Sequence, residues 1–359
     1  MSWVYRHKGK FLVLGAAVAG TQLRHCLSFA LRCGSTVAGS YVGGRWLLNK
    51  TSELQEKRRS SELEEARLQK HCENHCKTCL SAVVCLLPRL KEAVQAQLDA
   101  ESITEQLRSK SAGKVPLWEN LKIVCFARVI VGVYLCCALS AFLRIQLSIL
   151  GGELSLLHRD QGGDEGSLAQ QQYLRSAQHL MREGLEALVG RVRKAAETVL
   201  LSYSLKHQLT AEGVGQLLSD IHSLSSSHRP TNSSKGVCQT SFLVQFLLPR
   251  DQSFQSPEET SGAAYSARDI IESAEFSMVL ERCVNQTFSL MCCQISDIHH
   301  SAAQSETTLP VARVIPLISD MFDFIFSSHH DSLTQRVLAT PELQKLSRNI
   351  FEAFSRPSE

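Results

Sequence analysis

The sequence predicts an all-α fold, an elongated bundle of long helices preceded by an N-terminal membrane-anchor segment. Three observations carry this. Leu, Ala, Ser, Glu, Gln and Arg dominate while aromatics are only 6%, and alternating β-branched runs are few. Charged and apolar residues recur at helical spacing over long stretches. Helix punctuation recurs too, as in Gly113 with Pro116 and Thr340 with Pro341. The 359 residues suffice for one large domain or two ordinary ones, and 44% hydrophobic with 20% charged residues excludes wholesale disorder. A net charge of +3 is too small for the basic face that nucleic acid demands.

The chain opens with the basic flank MSWVYRHKGK and the apolar run FLVLGAAVAG. A span needs roughly 20 mostly apolar residues, and Arg24, His25 and Arg32 interrupt before a second apolar piece, STVAGSYVGGRWLL. VAG occurs at 18–20 and again at 37–39, so residues 21–39 read as an insertion into an anchor. A weak amphipathic targeting segment is the alternative. The chain therefore divides into residues 1–50, basic patch and anchor, and 51–359, a helical-bundle domain.

Residues 51–98 predict a long helix, capped by Thr51 or Ser52 and kinked or broken at Pro88. Ser102 and Glu105 have the spacing of a capping box for a short helix, and 111–116 is a loop. Residues 117–150, ended by Gly151 and Gly152, are apolar enough to span a membrane. Arg128 near their centre would cost roughly 2.5–3.5 kcal/mol there, which favours a helix buried inside a soluble bundle. A loop at 158–167 follows, then helices at 168–206, 210–224, 266–296, 309–328 and 341–355, with a Ser-rich linker at 225–236.

The nonapeptide HCENHCKTC, residues 71–79, suggests zinc, but a structural site takes four ligands, typically from two pieces of chain, and no matching pair follows. The competing reading is an apolar helix stripe of Cys76, Cys79, Leu80, Val83 and Cys85, with His71 and His75 toward solvent. Thirteen cysteines, several inside apolar runs (Cys85, Cys125, Cys136, Cys137, Cys292, Cys293), suit reduced, buried thiols. HRD at 158–160 has Glu165 where a kinase loop needs Asn, and no phosphate-loop, dinucleotide, nucleophile-elbow or metalloprotease motif occurs. No catalytic residue, metal ligand, cofactor or small-molecule substrate is expected.

GKVPLWENLKIV is the most informative window. Trp118 starts a helix straight after a Gly/Pro loop, flanked by Lys114 and Lys122. Such a Trp is commonly a core anchor, and Trp beside Lys and Leu is also the composition of a protein-binding hot spot. LKEAVQAQLDAESITEQL, KVPLWENLKIVCFARVIVGVYL, LRIQLSILGGELSL, QQQYLRSAQHLMREGLEALV, SYSLKHQL, LPVARVIPLI and FEAFSRP follow one another in order. Together they resemble the peroxisomal biogenesis factor 3 (peroxin-3) family over most of residues 51–356, and RHKGKFLVLG resembles that family's basic patch and anchor.

The resemblance implies a peroxisomal membrane protein whose helical domain lies in the cytosol and docks peroxin-19, the chaperone of newly made peroxisomal membrane proteins. Docking would place an amphipathic helix in an apolar groove. Trp118 would be its central residue, with Leu107, Lys114 and Leu121 as neighbours, Pro310 and Arg313 from a later helix, and Thr104 beside them. Leu107 and Leu121 suit a plain core equally, and Pro310 could simply begin a helix. The implied partners are peroxin-19 and peroxisomal membrane lipid, not nucleic acid. The C-terminal RPSE is not a lumenal import address of the S-K-L type. The region 225–262 matches the family poorly. The rival reading is a soluble helical scaffold or tether that docks no chaperone.

Overall fold

Apolar residues at Cys79, Val83, Leu87, Leu90 and Val94 recur at intervals of three and four, and all are buried, as is Leu98 beyond them. They lie on α1 (Val37–Gln97), the first helix of the computed structural model. The structure describes residues 37–109, 113–160, 178–227, 241–248, 262–303, 307–327 and 332–355. It divides into two units, 1–70 and 71–359. In the first unit, the side chains of residues 45–67, 69 and 70 are exposed, and Lys50 pairs with Glu53 at 3.1 Å. The proposed anchor and insertion lie almost wholly outside the described residues.

Two expectations about α1 need correction. Its helix does not begin at Thr51 or Ser52, whose hydroxyls instead donate to the carbonyls of Leu48 and Asn49, three residues back within the helix. Nor does it break at Pro88, which stands on the exposed face. There the carbonyl deprived of its usual donor can turn to water. Cys79 and Val83 form the stripe with Leu80 half-buried, but Cys85 is exposed and is not part of it. His71 stacks on Phe351 at 6.3 Å between ring centroids.

α2 (Ala100–Ser109) starts one turn before the expected capping box. Asp99 is the cap, its carboxylate accepting from the Ser102 amide at 2.8 Å. Gly113, at φ 76, sits just ahead of α3 (Lys114–Asp160), with Pro116 in the first turn of that helix. α3 is the centre of the second unit and packs on α2 and on most of the helices that follow it. It is the helix among the described residues long and apolar enough to cross a membrane, and 94% of that window is buried in protein. The expected stop at Gly151 and Gly152 does not occur. A side chain at Gly152 would place its Cβ 2.6 Å from that of Phe354, so the glycine lets another helix approach.

A π-helical turn (Leu180–Gly184) leads into α4 (Leu185–Leu200). α5 (Ala211–Ser226) follows Thr210, whose hydroxyl accepts from Gly213 N at 3.0 Å. α6 (Val244–Leu247) is one turn. The single helix expected over 266–296 is two, α7 (Gly262–Ile271) and α8 (Ala274–Ala303), because Ser273 caps the second through Phe276 N at 3.2 Å. α9 (Val311–Ile325), the unforeseen α10 (Leu333–Leu338) and α11 (Pro341–Phe354) complete the bundle. β1 (Gln208–Leu209) and β2 (Leu309–Pro310) pair antiparallel, Leu209 opposite Leu309.

Buried polar groups stitch these helices together. Lys122, 2% exposed, sends Nζ to the carbonyls of Leu200 at 3.1 Å and Tyr203 at 2.6 Å and to Glu119 at 2.5 Å. It thereby satisfies the C-terminal end of α4. Arg144 donates from Nε to Ser347 Oγ at 2.8 Å. Of the cysteines expected to be buried thiols, Cys125, Cys136 and Cys137 are buried, Cys292 is half-buried, and Cys85 and Cys293 are exposed; Cys79 and Cys283 are buried as well.

Candidate functional site

One face of α2 enters the core through Ala100, Ile103 and Leu107. The adjoining face carries Glu101, Thr104, Glu105 and Arg108 and borders a hollow of about 690 Å³. α3 supplies Trp118, Leu121 and Cys125 to the same hollow, at intervals of three and four that keep them on one stripe. α9 closes it with Ile315, Pro316, Ser319 and Asp320.

Arg128 fixes how these helices meet. Its guanidinium is 3% exposed, forks onto the Glu101 carboxylate with Nη1 to Oε1 at 2.8 Å, and reaches the Leu98 carbonyl through Nε. It also stands 5.3 Å over the Phe322 ring. The start of α2, the first third of α3 and the end of α9 therefore meet at one point. α2 runs away from it, and α3 and α9 run toward it, side by side. The hydrogen bond from Arg128 holds the Glu101 carboxyl below its ordinary range.

The expected site residues fall into three groups. Trp118, half-buried, Leu121, 6% exposed, and Thr104 line the hollow together. Leu107, 7% exposed, belongs to the core beneath it. Thr104 donates to the Ala100 carbonyl at 2.8 Å, a bond internal to α2 that leaves its methyl for contact. Lys114, Pro310 and Arg313 lie outside the lining. Lys114 is exposed one turn before Trp118 on α3. Arg313 is exposed one turn before Pro316 on α9 and donates to the Ala302 carbonyl at 3.4 Å. Pro310 is the N-cap of α9 and pairs with Gln208.

Sequence reasoning missed Glu105, Arg108, Cys125, Ile315, Pro316, Ser319 and Asp320. A signal for part of this existed, since Arg313, Pro316 and Asp320 are spaced i, i+3, i+7 and share a helix face. Cys125 sits at the floor, 2% exposed, with its thiol pushed up to about 12 by burial. Such a thiol is a small apolar surface rather than a nucleophile. No group of three or more metal-ligating side chains gathers among the described residues.

A protein-family profile described as Peroxin-3 matches residues 2–115. The chain is 32% identical to peroxisomal biogenesis factor 3 of Mus musculus over 352 residues, covering 91% of this chain and 94% of the relative. It is 31% identical to peroxisomal biogenesis factor 3 of Homo sapiens over 351 residues with the same coverage of both. Peroxisome biogenesis protein 3-1 of Arabidopsis thaliana is 26% identical over 315 residues, 76% of this chain and 79% of the relative.

Proposed function

The chain belongs to the peroxin-3 family, and on that premise we propose that this peroxisome biogenesis factor is the docking receptor for peroxin-19 at the peroxisomal membrane. The N-terminal segment anchors it and the helical domain faces the cytosol. Cargo-loaded peroxin-19 lays an amphipathic helix into the hollow between α2, α3 and α9, and so delivers membrane proteins for insertion. The family is one of biogenesis factors, and the activity is binding without a chemical step.

The observation that carries this reading is the juxtaposition of Trp118, Leu121 and Ile315 around a preformed hollow of about 690 Å³. An indole with aliphatic neighbours offers the pocket that Leu or Phe anchors of an incoming helix fill. Because the helices around it are packed into one core, little ordering is needed on binding, and the apolar area buried counts toward affinity. Lys114 and Arg313, each one turn outside the lining, are placed to meet acidic residues on that helix and to speed encounter. Expressing the tagged full chain tests the reading. It predicts a peroxisomal rim that recruits peroxin-19, whereas a soluble tether gives diffuse signal and no recruitment.

A further inference from the structure

The charges around the groove are sorted by end. At the end where α2 finishes and α3 begins stand Arg108 on α2 and Lys114 on α3, with Arg313 toward the same end of α9. At the other end, where Arg128 binds Glu101 and stacks on Phe322, stand Glu101 and Asp320. Arg128 and Lys91, beside that acidic end, each have partners of their own. Arg128 is committed to Glu101 and the Leu98 carbonyl, and Lys91 pairs with Asp323 at 2.8 Å. Glu105, midway, pairs with Arg108 at 3.6 Å. Asp320 is exposed on the groove lining and forms no ion pair with any described residue.

From this we infer a second, acidic recognition point in the groove, at which Asp320 selects a lysine or arginine of the docked helix. The inference rests on the peroxin-19 docking reading and deepens it. An acidic residue of the ligand would meet Lys114 and Arg313 at one end, and a basic residue would meet Asp320 at the other. Two opposite charges at opposite ends admit the helix in one direction only, because reversal sets like charges against each other at both ends. The helix macrodipole acts in the same sense when the ligand's N-terminus lies at the acidic end, since that terminus carries partial positive charge. The apolar centre then supplies affinity, and the charged ends supply direction and encounter rate.

The test is titration of detergent-solubilised full-length chain with fluorescently labelled recombinant peroxin-19, at low and moderate salt. Asp320→Lys is expected to weaken binding about tenfold, Asp320→Asn about threefold, with smaller differences at the higher salt, as befits a rim pair. Among single Lys→Glu and Arg→Glu variants of peroxin-19, one is expected to lose affinity for the parent chain and regain it with Asp320→Lys. Unchanged affinity of both Asp320 variants, or failure of every charge reversal to be rescued, overturns the acidic point. Trp118→Ala in the same titration keeps the two ideas apart. If it weakens binding while the Asp320 variants do not, docking in the groove survives and the acidic point falls. If it leaves binding unchanged, the groove itself is wrong and the acidic point falls with it.

Discussion

Arg128 and Glu101 form a fork in which one partner is buried and the other is not. The guanidinium is 3% exposed and the carboxylate 62%. This asymmetry makes the pair a hinge pin for the groove, because removing either partner has a different consequence. Glu101→Gln keeps the shape and leaves a buried cation with weaker acceptors. Loss of a charged hydrogen-bond partner costs roughly 1–3 kcal/mol, more than an ordinary surface substitution, and chemical denaturation reads it directly.

The same pair has a pH signature. Glu101 is held below the ordinary value of 4.5, first by its hydrogen bond from Arg128. Its contribution to stability is present above the ordinary value and is lost as pH falls through the depressed one. The stability difference between the parent chain and Glu101→Gln should therefore be steady near neutrality and shrink on acidification. A difference that grew toward low pH would contradict the pairing.

Lys122 replaces water at the end of α4. Lys122→Met should destabilise by about 2–4 kcal/mol, since carbonyls of Leu200 and Tyr203 lose a charged donor in a buried place. Thermal unfolding should show this as a fall of roughly 3–5 °C, given an unfolding entropy of about 2.1 cal/mol/K per residue over a chain this long. The Lys122→Arg variant is not expected to restore it, because a planar fork does not fit a site built for a compact ammonium.

Two helical glycines should respond in opposite directions. At Gly152 a methyl meets the Phe354 Cβ at 2.6 Å and the Phe351 carbonyl oxygen at 3.0 Å, so Gly152→Ala forces α11 away and costs about 1–3 kcal/mol. At Gly190, on the exposed side of α4, nothing lies within 4 Å. Gly190→Ala should stabilise by about 0.5–1 kcal/mol through helix propensity alone. Paired unfolding curves decide both.

What the sequence disclosed follows the range of the forces involved. The turn at Gly113 with Pro116 and the start at Thr340 with Pro341 are local patterns, and both appear in the fold, as does the part of the expected stripe made by Cys79, Leu80 and Val83, though Cys85 is exposed. The burial of α3 was also legible, because Arg128 has no place in lipid but can be satisfied inside protein. Gly151 and Gly152 misled, since a glycine read locally is a stop and only the approach of α11 explains it. The two-residue strands β1 and β2 are too short to leave a pattern. In the groove, Trp118, Leu121 and Thr104 were accessible through residue type and family resemblance. Spacing puts Arg313, Pro316 and Asp320 on one face of α9, but that this face, with Ile315 and Ser319, borders the groove follows only from α9 running beside α3, a tertiary fact that no spacing within LPVARVIPLISD reveals.

The central claim is that the hollow beside Trp118 holds a helix of peroxin-19. Its most direct test is isothermal titration of peroxin-19 into full-length chain and Trp118→Ala, with circular dichroism to confirm equal helical content. Truncating a central aromatic anchor should weaken binding by at least about thirtyfold, some 2 kcal/mol. Equal affinities for the two folded proteins would contradict the account.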